Sequence, residues 1–271
     1  MLQTLHSFLV LLFAIVYLIL GIVYMLIQVI VGLFSKKAKE HMAYGYMHLG
    51  LWCVWHLTGV KLTVIGKENL PKDGHPVLYV CNHRSIFDVI IGMTVYPGQV
   101  GVVAKDSLGK IPLLSYWMKQ INCLFLDRQD IKAGIQMIND AVELVKQGHS
   151  MLIFPEGTRN HNEGTLLPMH GGSFKIAIKT GVPVVPVCIT NTGDVFEDHF
   201  PKCHGAKVTM IIGEPIDTAT LPVKERKNLP TRCAAFMQQC LDQYDILPKK
   251  PLPEEPVAEK KEVKKEESHE G

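Results

Sequence analysis

Val77-Leu78-Tyr79-Val80-Cys81-Asn82-His83-Arg84-Ser85-Ile86-Phe87-Asp88-Val89-Ile90 is the stretch whose reading decides the fold. It opens with a short apolar run, the pattern of a buried strand. An imidazole, a guanidinium, a hydroxyl and a carboxylate follow, and Val89-Ile90-Ile91-Gly92-Met93 then resumes an apolar pattern suited to a helix. Titratable groups therefore sit where a strand turns into a helix. In open α/β sheets ligands bind in that crevice, at the carboxyl ends of the strands. A histidine is the usual general base near neutral pH and needs a partner to fix its tautomer. For His83 the candidate partner is Asp88. The same letters also fit a capping box, with Ser85 capping the helix and Asp88 answering it. One carboxylate could serve the cap and the imidazole in turn.

Outward from this unit, short apolar runs at Lys61–Gly66, Val100–Lys105, Asn122–Leu126, Met151–Phe154, Val182–Ile189 and Val208–Ile212 read as further strands. Pro183 and Pro186 predict that Val182–Ile189 lies near an edge or at a bulge. Ile131, Ile135, Ile138, Val142 and Val145 recur at helical spacing, with Asp130 as N-cap and Gly148 as stop. Phe174–Thr180 and Thr231–Tyr244 read as two more helices. Strands alternating with helices predict an α/β domain over residues 61–246, with a mixed, largely parallel sheet flanked by helices. From residue 247 to 271 the chain is Pro, Glu and Lys with almost no large apolar side chain, the composition of a disordered charged tail.

Residues 1–60 read as a membrane anchor of two helices. Met1–Phe34 holds no Asp, Glu, Lys or Arg. As a helix, Phe8–Phe34 alone would be about 40 Å long, against an apolar bilayer thickness of ~30 Å. Lys36, Lys37 and Lys39 follow at once, which places the following side in the cytoplasm by the positive-inside bias. A second uncharged segment, Ala43–Val60, carries Tyr44, Tyr46, His48, Trp52, Trp55 and His56, a content suited to a membrane interface. A helical hairpin dipping into one leaflet and a single span followed by an interfacial helix both fit.

The formal charge of +2 over 271 residues gives no reason to expect a nucleic-acid partner. The 7 Cys, at positions 53, 81, 123, 188, 203, 233 and 240, form no CxxC pair, which fits small buried thiols in a reducing compartment. Cys203-His204 lacks a second ligand pair, so no metal site is expected. Neither a Walker motif nor a dinucleotide fingerprint occurs, so no tightly bound cofactor is expected either.

The strand ends share chemistry: His83 and Asp88, Lys105, Arg128, and Glu156-Gly157-Thr158-Arg159. Parallel strands would bring them to one edge, and several cations beside a His–Asp pair favour an anionic ligand. Here the chain resembles the glycerolipid acyltransferase family, in particular its 1-acyl-sn-glycerol-3-phosphate acyltransferases. Asn82-His83 with Asp88 is similar to that family's first block, and Phe125-Leu126-Asp127-Arg128 resembles its second. Phe154-Pro155-Glu156-Gly157-Thr158-Arg159 is similar to its third and Val182-Pro183-Val184-Val185-Pro186-Val187 to its fourth. Val103–Pro112 also looks like the family's link between the first two blocks. The resemblance covers roughly Val60–Gly213. It departs at Asn122, where the family usually has Gly, and at Ser115-Tyr116, where a Gly is frequent.

The resemblance implies transfer of a fatty acyl group from a thioester, acyl-CoA or acyl-ACP, to the sn-2 hydroxyl of lysophosphatidic acid, giving phosphatidic acid in phospholipid biosynthesis. It assigns His83 as general base and Asp88 as its orienter, and Lys105, Arg128 and Arg159 to the acceptor phosphate. Gly157 would allow close approach of the acceptor, while Glu156 would bond the glycerol or position Arg159. A backbone N–H near His83 or Gly157 would supply the oxyanion hole. Together with the anchor it places the chain at a membrane, the bacterial inner membrane, with its catalytic domain on the cytoplasmic side. Alternatives are another acceptor (glycerol-3-phosphate, another lysophospholipid or a lipid A-type sugar), a thioesterase, or a non-enzymatic lipid-binding membrane protein.

Overall fold

The structure is a computed structural model and describes residues 2–162 and 164–244. The predicted tail, 247–271, lies outside the described residues. The elements run α1 (Leu2–Phe34), α2 (Lys36–Leu57), β1 (Lys61–Ile65), β2 (Leu78–Cys81), α3 (Ile86–Val95), β3 (Val100–Lys105), α4 (Leu114–Gln120) and β4 (Leu124–Leu126). They continue with α5 (Ile131–Lys146), β5 (Ser150–Ile153), α6 (Lys175–Thr180), β6 (Val184–Thr190), β7 (Lys207–Ile212), α7 (Val223–Arg226) and α8 (Leu229–Tyr244).

The strands form one 7-stranded sheet in the order β1-β7-β6-β2-β5-β3-β4. Every pairing is parallel except β6 with β7. The carboxyl ends of β2, β5, β3, β4 and β6 therefore share one edge, as the alternation of strands and helices predicts. One face of the sheet packs on α2, α3 and α4, around Tyr79, Ile91, Trp117 and Val185. The other packs on α5, α6 and α8, around Leu78, Met151, Phe174 and Met237.

One expectation is corrected. The strand with two prolines is interior, paired with β2 on one side and β7 on the other. Pro183 needs no N–H because only its carbonyl is used, by Leu78 N–H at 3.0 Å. Pro186 falls where the ladder to β7 is interrupted, between the Val184↔Ile216 bridge and the Val187↔Ile212 pair. Val185 and Pro186 face the longer stretch Gly213-Glu214-Pro215 there, so the bulge half of the expectation holds and the edge half does not.

α1 and α2 lie antiparallel as a hairpin. Tyr17 and Tyr46 stack at 4.5 Å, and the Tyr17 hydroxyl donates to the Tyr46 carbonyl at 2.7 Å. α2 begins earlier than its aromatic segment and forms the inner layer. Its Tyr44 hydroxyl donates to the Val100 carbonyl at 2.9 Å, and Ala43 is fully buried. α1 is the outer layer, and Leu5, Phe8, Leu12, Ile19, Val23, Ile30 and Phe34 are all exposed along its length. Residues 3–34 are long and apolar enough to cross a bilayer.

Candidate active site

His83 leaves the carboxyl end of β2, and Asp88 sits in the first turn of α3. The imidazole Nδ1 lies 3.0 Å from Asp88 Oδ2. That same oxygen accepts the backbone N–H groups of Arg84 at 2.6 Å and Ser85 at 2.8 Å, while Asp88 Oδ1 accepts the Thr192 hydroxyl at 2.5 Å. Ser85 caps α3, its side chain accepting from Phe87 N–H at 3.0 Å. The two roles expected of Asp88 in turn are thus held at once. Asp88 has no exposed surface. Its ionised oxygens can only accept, so Nδ1 carries the proton and Nε2 presents a lone pair. The ring is fixed from behind by Phe154, stacked at 4.0 Å.

The loop after β5, the neighbour of β2, clamps this turn. Glu156 Oε1 accepts His83 N–H at 2.8 Å and Oε2 accepts Leu167 N–H at 2.8 Å. Asn160 N–H donates to the His83 carbonyl at 2.7 Å, and Arg84 Nη1 donates to the Asn160 carbonyl at 2.9 Å. Glu156 therefore holds the backbone of His83. It does not position Arg159, whose carboxylate partner is Glu197, at 3.2 Å. Gly157 has φ +71, and an added Cβ would meet the His170 ring at 3.0 and 3.1 Å. Its freedom is used by the turn itself. Gly157→Ala should lower stability by about 1–2 kcal/mol, read as a shift in denaturation midpoint.

Burial pushes the Glu156 carboxyl up to about 7, beyond what the two N–H donors can offset, and the Asp88 charge adds to the rise. A carboxyl whose folded pKa exceeds its unfolded one binds more protons when folded, so its contribution to stability falls as pH rises from about 4.5 to about 7. Glu156→Gln carries a pH-independent cost, because its amide must face one N–H donor. The gap in melting temperature between wild type and Glu156→Gln should narrow as pH is raised from about 5 to about 8. A gap that widened over that range would refute the ionisation assigned to Glu156.

Arg159 and Arg128 lie close enough for their charges to interact; partial burial and the Arg159 guanidinium lower the Arg128 pKa. Lys105 ends β3, exposed on the same edge, two strands from β2 and so about 10 Å aside. Asn122 begins the β4 segment and lies at the opposite edge. Its φ of +60 is the left-handed conformation, in which Asn readily replaces Gly. The departure there keeps a backbone conformation that Gly also adopts. Tyr116 reaches away from the site, its hydroxyl donating to Gln28 of α1 at 3.0 Å. An oxyanion donor is expected near His83 or Gly157; the N–H groups of these two residues themselves are engaged, with Glu156 and with the Phe154 carbonyl at 3.1 Å.

Sequence reasoning passed over Thr192, Glu197 and Asp198, which all follow β6. Glu197 accepts Ile86 N–H at 2.8 Å and the Ser85 hydroxyl, and Asp198 pairs with Arg84 at 3.0 Å. The only signal was an acidic pair shortly after a strand on the same edge. Among the described residues there is no cluster of three or more His, Cys, Asp or Glu side chains that could hold a metal ion.

A family model described as Acyltransferase matches residues 61–190. The 1-acyl-sn-glycerol-3-phosphate acyltransferase of Saccharomyces cerevisiae is 33% identical over 187 residues, covering 65% of this chain and 61% of the yeast one. That of Borreliella burgdorferi is 32% identical over 181 residues, covering 67% of this chain and 70% of its own. That of Escherichia coli is 29% identical over 217 residues, covering 79% and 85%. The crystal structure of the 1-acyl-sn-glycerophosphate acyltransferase from Thermotoga maritima matches with a TM-score of 0.77 at 24% identity, over 92% of this chain and 98% of that one. At that identity the likeness speaks for the fold.

Proposed function

This chain belongs to the acyltransferase family, and on that premise we propose that it moves a fatty acyl group from an acyl thioester to the sn-2 hydroxyl of a 1-acyl-sn-glycerol 3-phosphate. The observation that carries this reading is the 3.0 Å contact of His83 Nδ1 with a buried carboxylate, which leaves Nε2 as a base at the carboxyl edge of the sheet. Nε2 takes the hydroxyl proton as the acceptor oxygen attacks the thioester carbonyl carbon. The tetrahedral oxyanion collapses, the C–S bond breaks, and the proton passes from Nε2 to the departing sulfur. Asp88 stabilises the imidazolium between the two transfers. A thioester is already activated, so no enzyme nucleophile is required.

The oxyanion donors in this reading come from the turn after Glu156. The N–H groups of Thr158 and Arg159 make no hydrogen bond among the described residues. Arg159 and Arg128 take the acceptor phosphate, with Lys105 at the rim as a point charge. The acyl carrier, coenzyme A or a carrier protein, arrives as substrate.

We place the enzyme at a membrane by the outer face of α1. Contacts between the hairpin helices run from His6 with Leu57 to Gln28 with Lys39. α1 therefore lies flat along the domain instead of projecting from it. This supports a hairpin seated in one leaflet, on the cytoplasmic side. An acceptor can then be used without lifting its chain into water, where each methylene costs about 0.8 kcal/mol. Purified protein given acyl-CoA should release thiol only when lysophosphatidic acid is present. Equal release without acceptor would make it a thioesterase, and no release with any thioester would leave a lipid-binding protein.

A further inference from the structure

We infer that Glu197 is a positioning residue for the acceptor: it ties the phosphate-binding Arg159 to the amino end of the helix that carries the His83–Asp88 pair. The inference rests on the acyl-transfer reading above. Glu197 lies outside the residues matched by the family model, which end at 190. Its carboxylate is 10% exposed, whereas the Arg159 side chain it holds is 40% exposed.

The geometry gives this carboxylate two directions of action. Inward, Oε1 accepts Ile86 N–H at 2.8 Å and Oε2 accepts the Ser85 hydroxyl, so it completes the amino end of α3 beside Asp88. Outward, Oε1 faces Arg159 Nη1 at 3.2 Å. A long guanidinium at the rim would otherwise sample many rotamers, and ordering it on binding carries an entropy cost. Anchored by a half-buried carboxylate fixed at both oxygens, it waits in one place. Its remaining N–H groups are left to face an anion beside Nε2. Asp198 does the same for the first block, pairing with Arg84 at 3.0 Å. The loop after β6 thus sets the spacing between the base and the phosphate site, and with it which hydroxyl of the acceptor reaches Nε2.

The test is a double-mutant cycle on full-length, detergent-solubilised protein, read as binding. Dissociation constants are measured for lysophosphatidic acid and for neutral 1-acylglycerol, with wild type, Glu197→Gln, Arg159→Ala and the double variant. Glu197→Gln should weaken lysophosphatidic acid binding about fivefold and leave the neutral ligand unchanged. In the Arg159→Ala background it should have no further effect. Equal weakening of both ligands, or an undiminished effect without Arg159, would overturn the inference in favour of a purely structural role. If Glu197→Gln does not fold, Glu197→Asp, one methylene too short to span both partners, must show the same phosphate-selective loss. Binding is measured without turnover, so a wild type that binds but releases no thiol defeats the transfer reading alone, and the role of Glu197 is still decided by the cycle.

Discussion

His83→Ala is expected to lower acceptor-dependent thiol release by about a thousandfold while leaving the fold in place. The loss follows from chemistry that no neighbour can replace. In the proposed transfer Nε2 is the lone pair that Asp88 orients, and Asp88 itself is already engaged by the Arg84 and Ser85 N–H groups. The stability cost is smaller. Without the imidazole, Asp88 Oδ2 still accepts from Arg84 and Ser85 N–H, so its carboxylate keeps its partners. What remains is lost stacking on Phe154 and a small cavity, together about 1–3 kcal/mol. A melting temperature within reach of wild type with release about a thousandfold below it is the expected pair of results. Release within tenfold of wild type would remove His83 from the reaction.

The sequence disclosed what depends on local pattern. The apolar run before Asn82, the Ser85 and Asp130 caps and the 3.6-residue spacing of Ile131–Val145 each match an element of the structure. Parallel strands then brought His83, Lys105, Arg128 and Glu156 to one edge. What stayed hidden depends on which strand neighbours which. Pro186 is harmless inside the sheet because its missing N–H falls at a bulge, and nothing in the order of letters shows which side of a strand faces a bulge. The hydrogen bond from Thr192 to Asp88 spans 104 positions of the chain, and that from Ser85 to Glu197 spans 112. Such pairings come from β6 lying beside β2, and no motif spacing encodes that adjacency. Glu156 was legible as a residue at this strand edge but not in its contacts. A carboxylate in a turn gives no hint that both its oxygens will be taken by backbone N–H groups.

Asp88→Asn should separate the capping contacts of this carboxylate from the orienting duty proposed for it. As a cap, the side chain needs an oxygen facing Arg84 and Ser85 N–H, and an amide oxygen can supply it. The amide then turns its NH2 toward Thr192, whose hydroxyl can rotate to accept. The expected stability loss is about 1–3 kcal/mol, from weaker neutral hydrogen bonds in a fully buried position. As the proposed orienter, the side chain needs its charge, because among the described residues the imidazolium of the proposed transfer has Asp88 as its anion at Nδ1. Turnover should therefore fall by about 10³–10⁴-fold. Asp88→Ala removes both duties and leaves the donors of Arg84, Ser85, Thr192 and His83 facing a void. Its stability loss should be the larger, about 3–5 kcal/mol. In the proposed transfer His83 and Asp88 act as a unit, so adding Asp88→Asn to His83→Ala should lower turnover little further. If Asp88→Asn instead shifted the melting temperature and left turnover within a few-fold of wild type, the capping box would be the whole role of Asp88, and the base would have to find its orientation elsewhere.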